Sequence, residues 1–231
     1  MNPSMQLYYL TVIPQPIRQT PDNFHRTLLN FVNDIKDQID TQFTMNQLVF
    51  KYGFSKRRLY DVINVFEAAG CCSRACHETI KWLGLANALT KFKSQLDLIK
   101  INDDFEKLLP KESSTTFTQL TSLFLLIFAH VHSQVIEYKT AAHIISKFNG
   151  KESSILKKLY QIGQILEVGG FISKTGQPGQ ISLSNDLYSH IESRSSYCDI
   201  NPLSLAFLVN PSNVGTPLPP IDLIYTKAIV V

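Results

Sequence analysis

Cysteine, charge and long apolar runs are all scarce in this 231-residue chain, and each scarcity excludes something. Four cysteines are too few to staple a chain of this length into a disulfide scaffold. Charged residues make up 18% and apolar residues 44%, the balance of a protein that buries a core rather than a disordered one. The net charge of +3 is too small to indicate a nucleic-acid partner by itself. The apolar run LFLLIFAHV at 123–131 is too short to span a bilayer, and no signal-peptide pattern is evident, so an intracellular, soluble protein is expected. No Gly-rich loop, nucleophile or carboxylate pair is arranged around His77, His130, His132 or His143. An enzyme is therefore not expected, and no cofactor or small-molecule substrate is implied. Cys71, Cys72, Cys76 and His77 raise the question of zinc. Adjacent cysteines point to opposite faces of a strand, whereas structural zinc wants a spaced pair and a second pair elsewhere. No metal is assigned, and small apolar residues lining a hairpin are the expected role.

What the chain does have is centred on residues 55–70, SKRRLYDVINVFEAAG. Ser55 suits a helix N-cap, where a hydroxyl accepts from a backbone N–H left unpaired in the first turn. Gly70 suits the left-handed position that ends a helix. Between them Leu59, Val62, Ile63 and Phe66 recur at i, i+3, i+4 and i+7 and predict one buried stripe. The opposite side carries Arg57, Tyr60 or Asp61, and Asn64, a narrow strip of polar groups such as a helix needs to enter a major groove and read base edges. A solvated helix face would account for a basic cluster alone. Here the next residues, CCSRACHETIKWLG at 71–84, predict a β-hairpin with Ile80 and Trp82 on one face. Upstream, Thr20-Pro21-Asp22 opens a first helix with the stripe Phe24, Leu28, Phe31, Val32 and Ile35. Thr44-Met45-Asn46-Gln47 reads as a capping box for a short second helix with Leu48, Val49 and Tyr52, ended by Gly53. Helix, helix, tight turn, helix, hairpin is a winged helix-turn-helix over about 20–84.

The string RRLYDVINVFE followed by IKWLG resembles the DNA-binding domain of the E-two-F/DP family, the E2 promoter-binding factors and their dimerisation partners. Arg57, Arg58, Leu59, Tyr60, Asp61, Asn64, Val65 and Glu67 stand at the places of that family's recognition helix, with Phe66 where Leu is usual. Trp82, Leu83 and Gly84 match the end of its wing. The resemblance implies a nuclear, cell-cycle-type transcription regulator that reads a GC-rich element in double-stranded DNA, with a family dimerisation partner or other transcription-complex subunits as possible protein partners. No retinoblastoma-binding segment is apparent. Arg57, Arg58 and Tyr60 are the expected base readers; Lys51, Lys56, Arg74 and Lys81 are expected on phosphates. Residues 41–95 hold eight basic residues against three acidic ones, so the basic surplus gathers around this helix, as an electrostatic DNA footprint should.

The chain then repeats itself. Residues 156–172, LKKLYQIGQILEVGGFI, align with 56–72 at an offset of one hundred, keeping Leu159, Tyr160, Glu167 and Gly170. Phe117–Val131 supplies a first helix, Ile136–Tyr138 a short strand, Thr140 the cap of a second helix ending at Asn149-Gly150, and FISK and QISL a compact wing around TGQPG. Tandem winged helices resemble the atypical branch of the same family, which carries two DNA-binding domains and needs no separate partner. The second copy departs from the pattern: Lys157 and Lys158 replace arginines, Gln161 and Gln164 replace Asp61 and Asn64, and Gly163 replaces Ile63 in mid-helix, at a cost of about 1 kcal/mol relative to Ala. Residues 101–194 are charge-neutral. Lys157, Lys158 and Tyr160 fit a clamp on the DNA backbone; a winged helix given over to protein docking fits equally.

The expected fold is mainly α with small β wings (α+β), as two tandem winged helices. The expected organisation is an N-terminal arm (1–19), a DNA-binding domain (20–84), a helical linker (85–112), a degenerate second domain (113–195) and a Pro-rich extended tail (196–231). In the linker, Leu85, Leu89, Phe92, Leu96 and Ile99 predict an amphipathic helix of some four turns, either a dimerisation helix or a strut. The tail segments LSLAFLV and LIYTKAIVV can cover a core or serve as partner-binding motifs. Two functions stand: a transcription regulator that binds specific DNA, and a structural subunit of a nuclear assembly that uses winged helices for docking.

Overall fold

A computed structural model describes residues 21–76, 78–98, 105–111 and 115–198. The N-terminal arm, the Thr20 cap, His77, Ile99 and the tail beyond Cys198 lie outside the described residues. Up to Ile191 the chain is one compact unit; of the unit from Glu192 onward, only the end of a helix is described.

Helix α1 (Pro21–Ile35) buries Leu28, Phe31, Val32 and Ile35, with Phe24 half-buried at its start. A short strand β1 (Gln42–Thr44) follows, then α2 (Met45–Tyr52) and α3 (Lys56–Ala69). The capping box of α2 forms in full: the Thr44 hydroxyl accepts from the Gln47 N–H at 3.3 Å and the Gln47 side chain accepts from the Thr44 N–H at 2.9 Å. Gly53 ends α2 in the left-handed region, at φ 74°, and Gly70 ends α3 likewise, at φ 92°. The Ser55 hydroxyl caps α3 by accepting from the Arg58 N–H. The wing is β2 (Cys72–Cys76) and β3 (Thr79–Trp82), and β1 pairs antiparallel on the far side of β3, giving the order β1-β3-β2. Ile80 and Trp82 face inward, and the Trp82 ring meets Phe31 and Phe66 edge-on at the centre of the core. The one element of this half that sequence reading does not anticipate is β1. Three residues are too short for an alternating pattern, and β3 supplies its partners across the sheet.

Helix α4 (Asn87–Leu98) starts two residues later than the stripe predicts and is turned slightly, so that Ala88, Phe92 and Leu96 are buried while Leu85 and Leu89 are half-buried. It leans on α3 and on the next long helix, with Gln95 donating to the Ser122 hydroxyl at 3.3 Å. A four-residue turn, α5 (Phe105–Leu108), precedes the second half.

That half runs α6 (Phe117–His130), β4 (Val135–Glu137), α7 (Tyr138–Ile145), α8 (Glu152–Val168), β5 (Ile172–Lys174), β6 (Gln180–Leu183) and α9 (Asn185–Cys198). Its sheet order, β4-β6-β5, is that of the first. Individual contacts recur too. Cys71 N–H donates to the Phe66 carbonyl and Phe171 N–H to the Leu166 carbonyl, at 2.8 and 3.0 Å; Met45 N–H donates to Glu78 and Tyr138 N–H to Gly179, at 2.8 and 3.0 Å. Arg74 pairs with Glu67 at 3.0 Å, and Lys174 with Glu167 at 2.8 Å.

Three details of the second half differ from the sequence reading. Thr140 caps nothing: α7 begins two residues earlier, after Glu137, whose side chain makes no cap hydrogen bond. Tyr138 belongs to α7 rather than to the strand, and α7 ends at Ile145, with Gly150 turning the chain in the left-handed region further on. Gly163 is no mere weakening of α8. A Cβ there would lie 1.9 Å from the Tyr138 Oη, so the glycine makes room for a buried ring. The two halves share one continuous core, in which α6 and α8 lie along α3 and α8 touches α1.

Candidate nucleic-acid interface

Successive residues of a helix are about 100° apart around its axis, which sorts α3 into three sides. Leu59, Val62, Ile63 and Phe66 form the buried stripe, all of them fully inaccessible. Val65, Ala68 and Ala69 are buried as well, where the second half packs along the helix. The second half thus takes up a flank of α3 that an isolated domain would leave to solvent.

On the other flank stands the wing. The Arg74 guanidinium reaches back to Glu67 at 3.0 Å and to the Asn64 Oδ1 at 2.6 Å. The Tyr60 hydroxyl donates to Glu78 at 2.9 Å, and the Lys56 ammonium pairs with the same carboxylate oxygen at 3.1 Å. The hydrogen bond to Glu78 favours the protonated phenol and raises the Tyr60 pKa above its ordinary value. Between the wing and the second half only a strip remains open, and the exposed Arg57 leads it, with Tyr60 and Asn64 half-buried behind. Arg57 makes no hydrogen bond or ion pair among the described residues.

The pair Arg57 and Arg58 is split by the helix. Arg58 points round toward α1, its guanidinium carbon 5.6 Å from the centre of the Phe24 ring. It is exposed yet lies off the strip that Arg57 and Tyr60 share. Asp61, half-buried beside both arginines, has its pKa raised by burial, and the two guanidiniums only partly offset that. The helix sets Arg57 and Arg58 about 100° apart, and the Phe24 ring holds Arg58 on its side.

The first-half cations expected on phosphates, Lys51, Lys56, Arg74 and Lys81, all have internal carboxylates. Lys51 pairs with Asp34 at 3.2 Å and Lys81 with Asp40 at 2.9 Å, beside the Lys56–Glu78 and Arg74–Glu67 pairs. Such exposed pairs contribute about 0–1 kcal/mol each, so a phosphate can displace the carboxylate at little cost. Those acids are spread over α1, its following turn, α3 and the wing, and helical spacing alone does not pair them with their cations.

In the second half, α8 presents an equivalent strip of Lys157, Tyr160 and Gln164, all exposed. The Tyr160 ring leans on Tyr138 at 4.5 Å. Lys158 turns inward instead, donating to the Thr115 carbonyl at 2.7 Å, so its ammonium ties the start of α6 rather than facing a backbone clamp's partner. Lys158 thus mirrors Arg58: both positions face the first helix of their own half. Among the described residues no three His, Cys, Asp or Glu side chains are grouped as a metal would require. No helix among them is long and apolar enough to cross a membrane.

A three-stranded winged sheet behind a capped helix, with an exposed arginine leading that helix, defines a winged helix-turn-helix domain. Residues 24–84 match the model of the E-two-F/DP family winged-helix DNA-binding domain, so this segment is a domain of that family. The match supports a DNA-binding role in transcription regulation. No curated protein matches the chain.

Proposed function

We propose that the protein is a nuclear transcription regulator that recognises a GC-rich site in double-stranded DNA, with α3 laid in the major groove. Arg57 is the principal base reader. Its free guanidinium offers the forked donors that suit guanine O6 and N7, and Tyr60 lies beside it. The observation that carries this reading is the exposed, unpartnered Arg57 at the head of α3 within a family DNA-binding domain. Lys51, Lys56, Arg74 and Lys81 exchange their carboxylates for phosphates and set the register. Arg58, packed on Phe24, supports the helix start from outside the groove.

The recurrence of sheet order, wing ion pair and cap hydrogen bonds supports a second winged helix in the second half. In this reading the two modules are joined covalently by the single chain and held against each other by the shared core, and Lys157 adds a backbone contact on the adjoining stretch of DNA. A separate family dimerisation partner is then not required.

The test is binding-site selection followed by affinity measurement. Arg57→Ala is expected to lose about 1–3 kcal/mol of specific binding and to relax discrimination at one guanine, with Arg58→Ala losing less. Equal binding by wild type and Arg57→Ala would reject the strip. The charge neutrality of the second half favours one other reading, in which that half docks a protein subunit. Lys157→Ala separates them: on DNA it makes the salt dependence shallower by about one unit, and in a docking module it changes nothing.

A further inference from the structure

We infer that Gln164 is a second specificity-determining residue, reading an adenine through its side-chain amide. This rests on the proposal that the second half lies on DNA as a winged helix. Gln164 occupies on α8 the place that Asn64 occupies on α3, one hundred residues earlier and one helical turn beyond the tyrosine. The two amides are in different states. The Asn64 Oδ1 accepts from the Arg74 guanidinium at 2.6 Å, so that amide serves to hold the wing. The corresponding wing cation, Lys174, is one compact ammonium and, among the described residues, pairs with Glu167 and not with Gln164. Gln164 is left exposed and makes no hydrogen bond among the described residues.

A primary amide on a recognition helix has a defined use. Its N–H donates to adenine N7 while its carbonyl accepts from the adenine N6 amino group, a bidentate contact that no other base edge satisfies in the same sense. Glutamine reaches one methylene further than asparagine, which suits a helix whose neighbours on the strip are Lys157 and Tyr160 rather than a forked guanidinium. The exchange of arginine for lysine replaces a planar fork by a point charge and so weakens the geometric preference for guanine in the second module, and the free amide supplies a different one. The composite site is therefore asymmetric, with a guanine-reading half and an adenine-containing half.

Binding-site selection from random duplexes, using the full chain, tests this. Wild type is expected to enrich both halves. Gln164→Ala should lose roughly tenfold to a hundredfold discrimination at one A·T pair, with the slope of binding against salt unchanged. Gln164→Arg should turn that preference toward guanine. Arg57→Ala, run alongside, should flatten only the other half of the site. If the Gln164→Ala and Gln164→Arg profiles superimpose on wild type while Arg57→Ala flattens its guanine, the first module's reading stands and the Gln164 assignment is overturned. If wild type enriches no sequence, both fall.

Discussion

Replacing Gly163 by alanine separates helix propensity from packing. On propensity alone the change stabilises α8 by about 1 kcal/mol, because glycine in a helix interior surrenders more backbone freedom than alanine. The structure reverses the sign. An added Cβ would lie 1.9 Å from the Tyr138 Oη, 2.7 Å from its Cζ and 2.9 Å from its Cε1. The ring has nowhere to go, since Phe124 stacks on it at 5.7 Å and Tyr160 leans on it at 4.5 Å. Overpacking of a filled core costs about 1–3 kcal/mol, and an overlap this large belongs at the upper end, for a net loss of about 2 kcal/mol. For a chain of this size that lowers the melting temperature by roughly 4–8 °C, readable by circular dichroism on heating. The first half shows how to restore the fit: there the equivalent pair is Met45 and Ile63, both fully buried. The double variant Gly163→Ile with Tyr138→Met should therefore be more stable than the sum of its single variants by at least about 2 kcal/mol. A Gly163→Ala protein that melts at or above wild type would refute the reasoning.

Glu78→Gln should tighten DNA binding roughly fivefold, about 1 kcal/mol, by removing a carboxylate that competes with phosphate for Lys56, and the gain should shrink as salt rises; weaker binding would mean that Glu78 serves chiefly to position Lys56 and Tyr60. Burial lowers the His130 pKa where it stacks on Phe105, with His132 and Lys147 adding to the effect and Glu106 opposing it. The unfolded chain then binds the proton more readily, so this contribution to stability is complete above the ordinary histidine pKa of about 6.5 and falls as pH drops below it. His130→Phe should flatten the melting temperature between pH 7 and 5, leaving the part due to His190, which burial shifts the same way; an unaltered slope would exclude His130. Burial pushes the Cys72 thiol up to about 12 and raises Cys71 as well, whereas hydrogen bonds from Thr79 and the Glu78 backbone lower that of the exposed Cys76. Brief maleimide labelling of the native protein at pH 8 should therefore modify Cys76 before Cys71 or Cys72, as peptide masses will show, and equal labelling would refute the burial argument.

The sequence by itself determined what depends on near neighbours along the chain. The Thr44–Gln47 box, the Ser55 cap, the Gly53 and Gly70 stops and the stripe from Leu59 to Phe66 are all encoded within about a dozen residues, and caps and periodicity are short-range physics. The recurrence at an offset of one hundred was equally legible, because the same contacts demand the same residues, as Glu67 and Glu167 demonstrate in pairing with Arg74 and Lys174. Only the tertiary structure decided which polar groups are available. Arg57 and Arg58 are neighbours in sequence, but Phe24, more than thirty residues away, draws one aside. Lys157 and Lys158 are parted in the same way by the Thr115 carbonyl. Gly163 looks like a defect until Tyr138 is seen to fill its place. In each case the deciding partner is distant in sequence and chosen by packing, so helical spacing could predict the strip but not which of its side chains were left open.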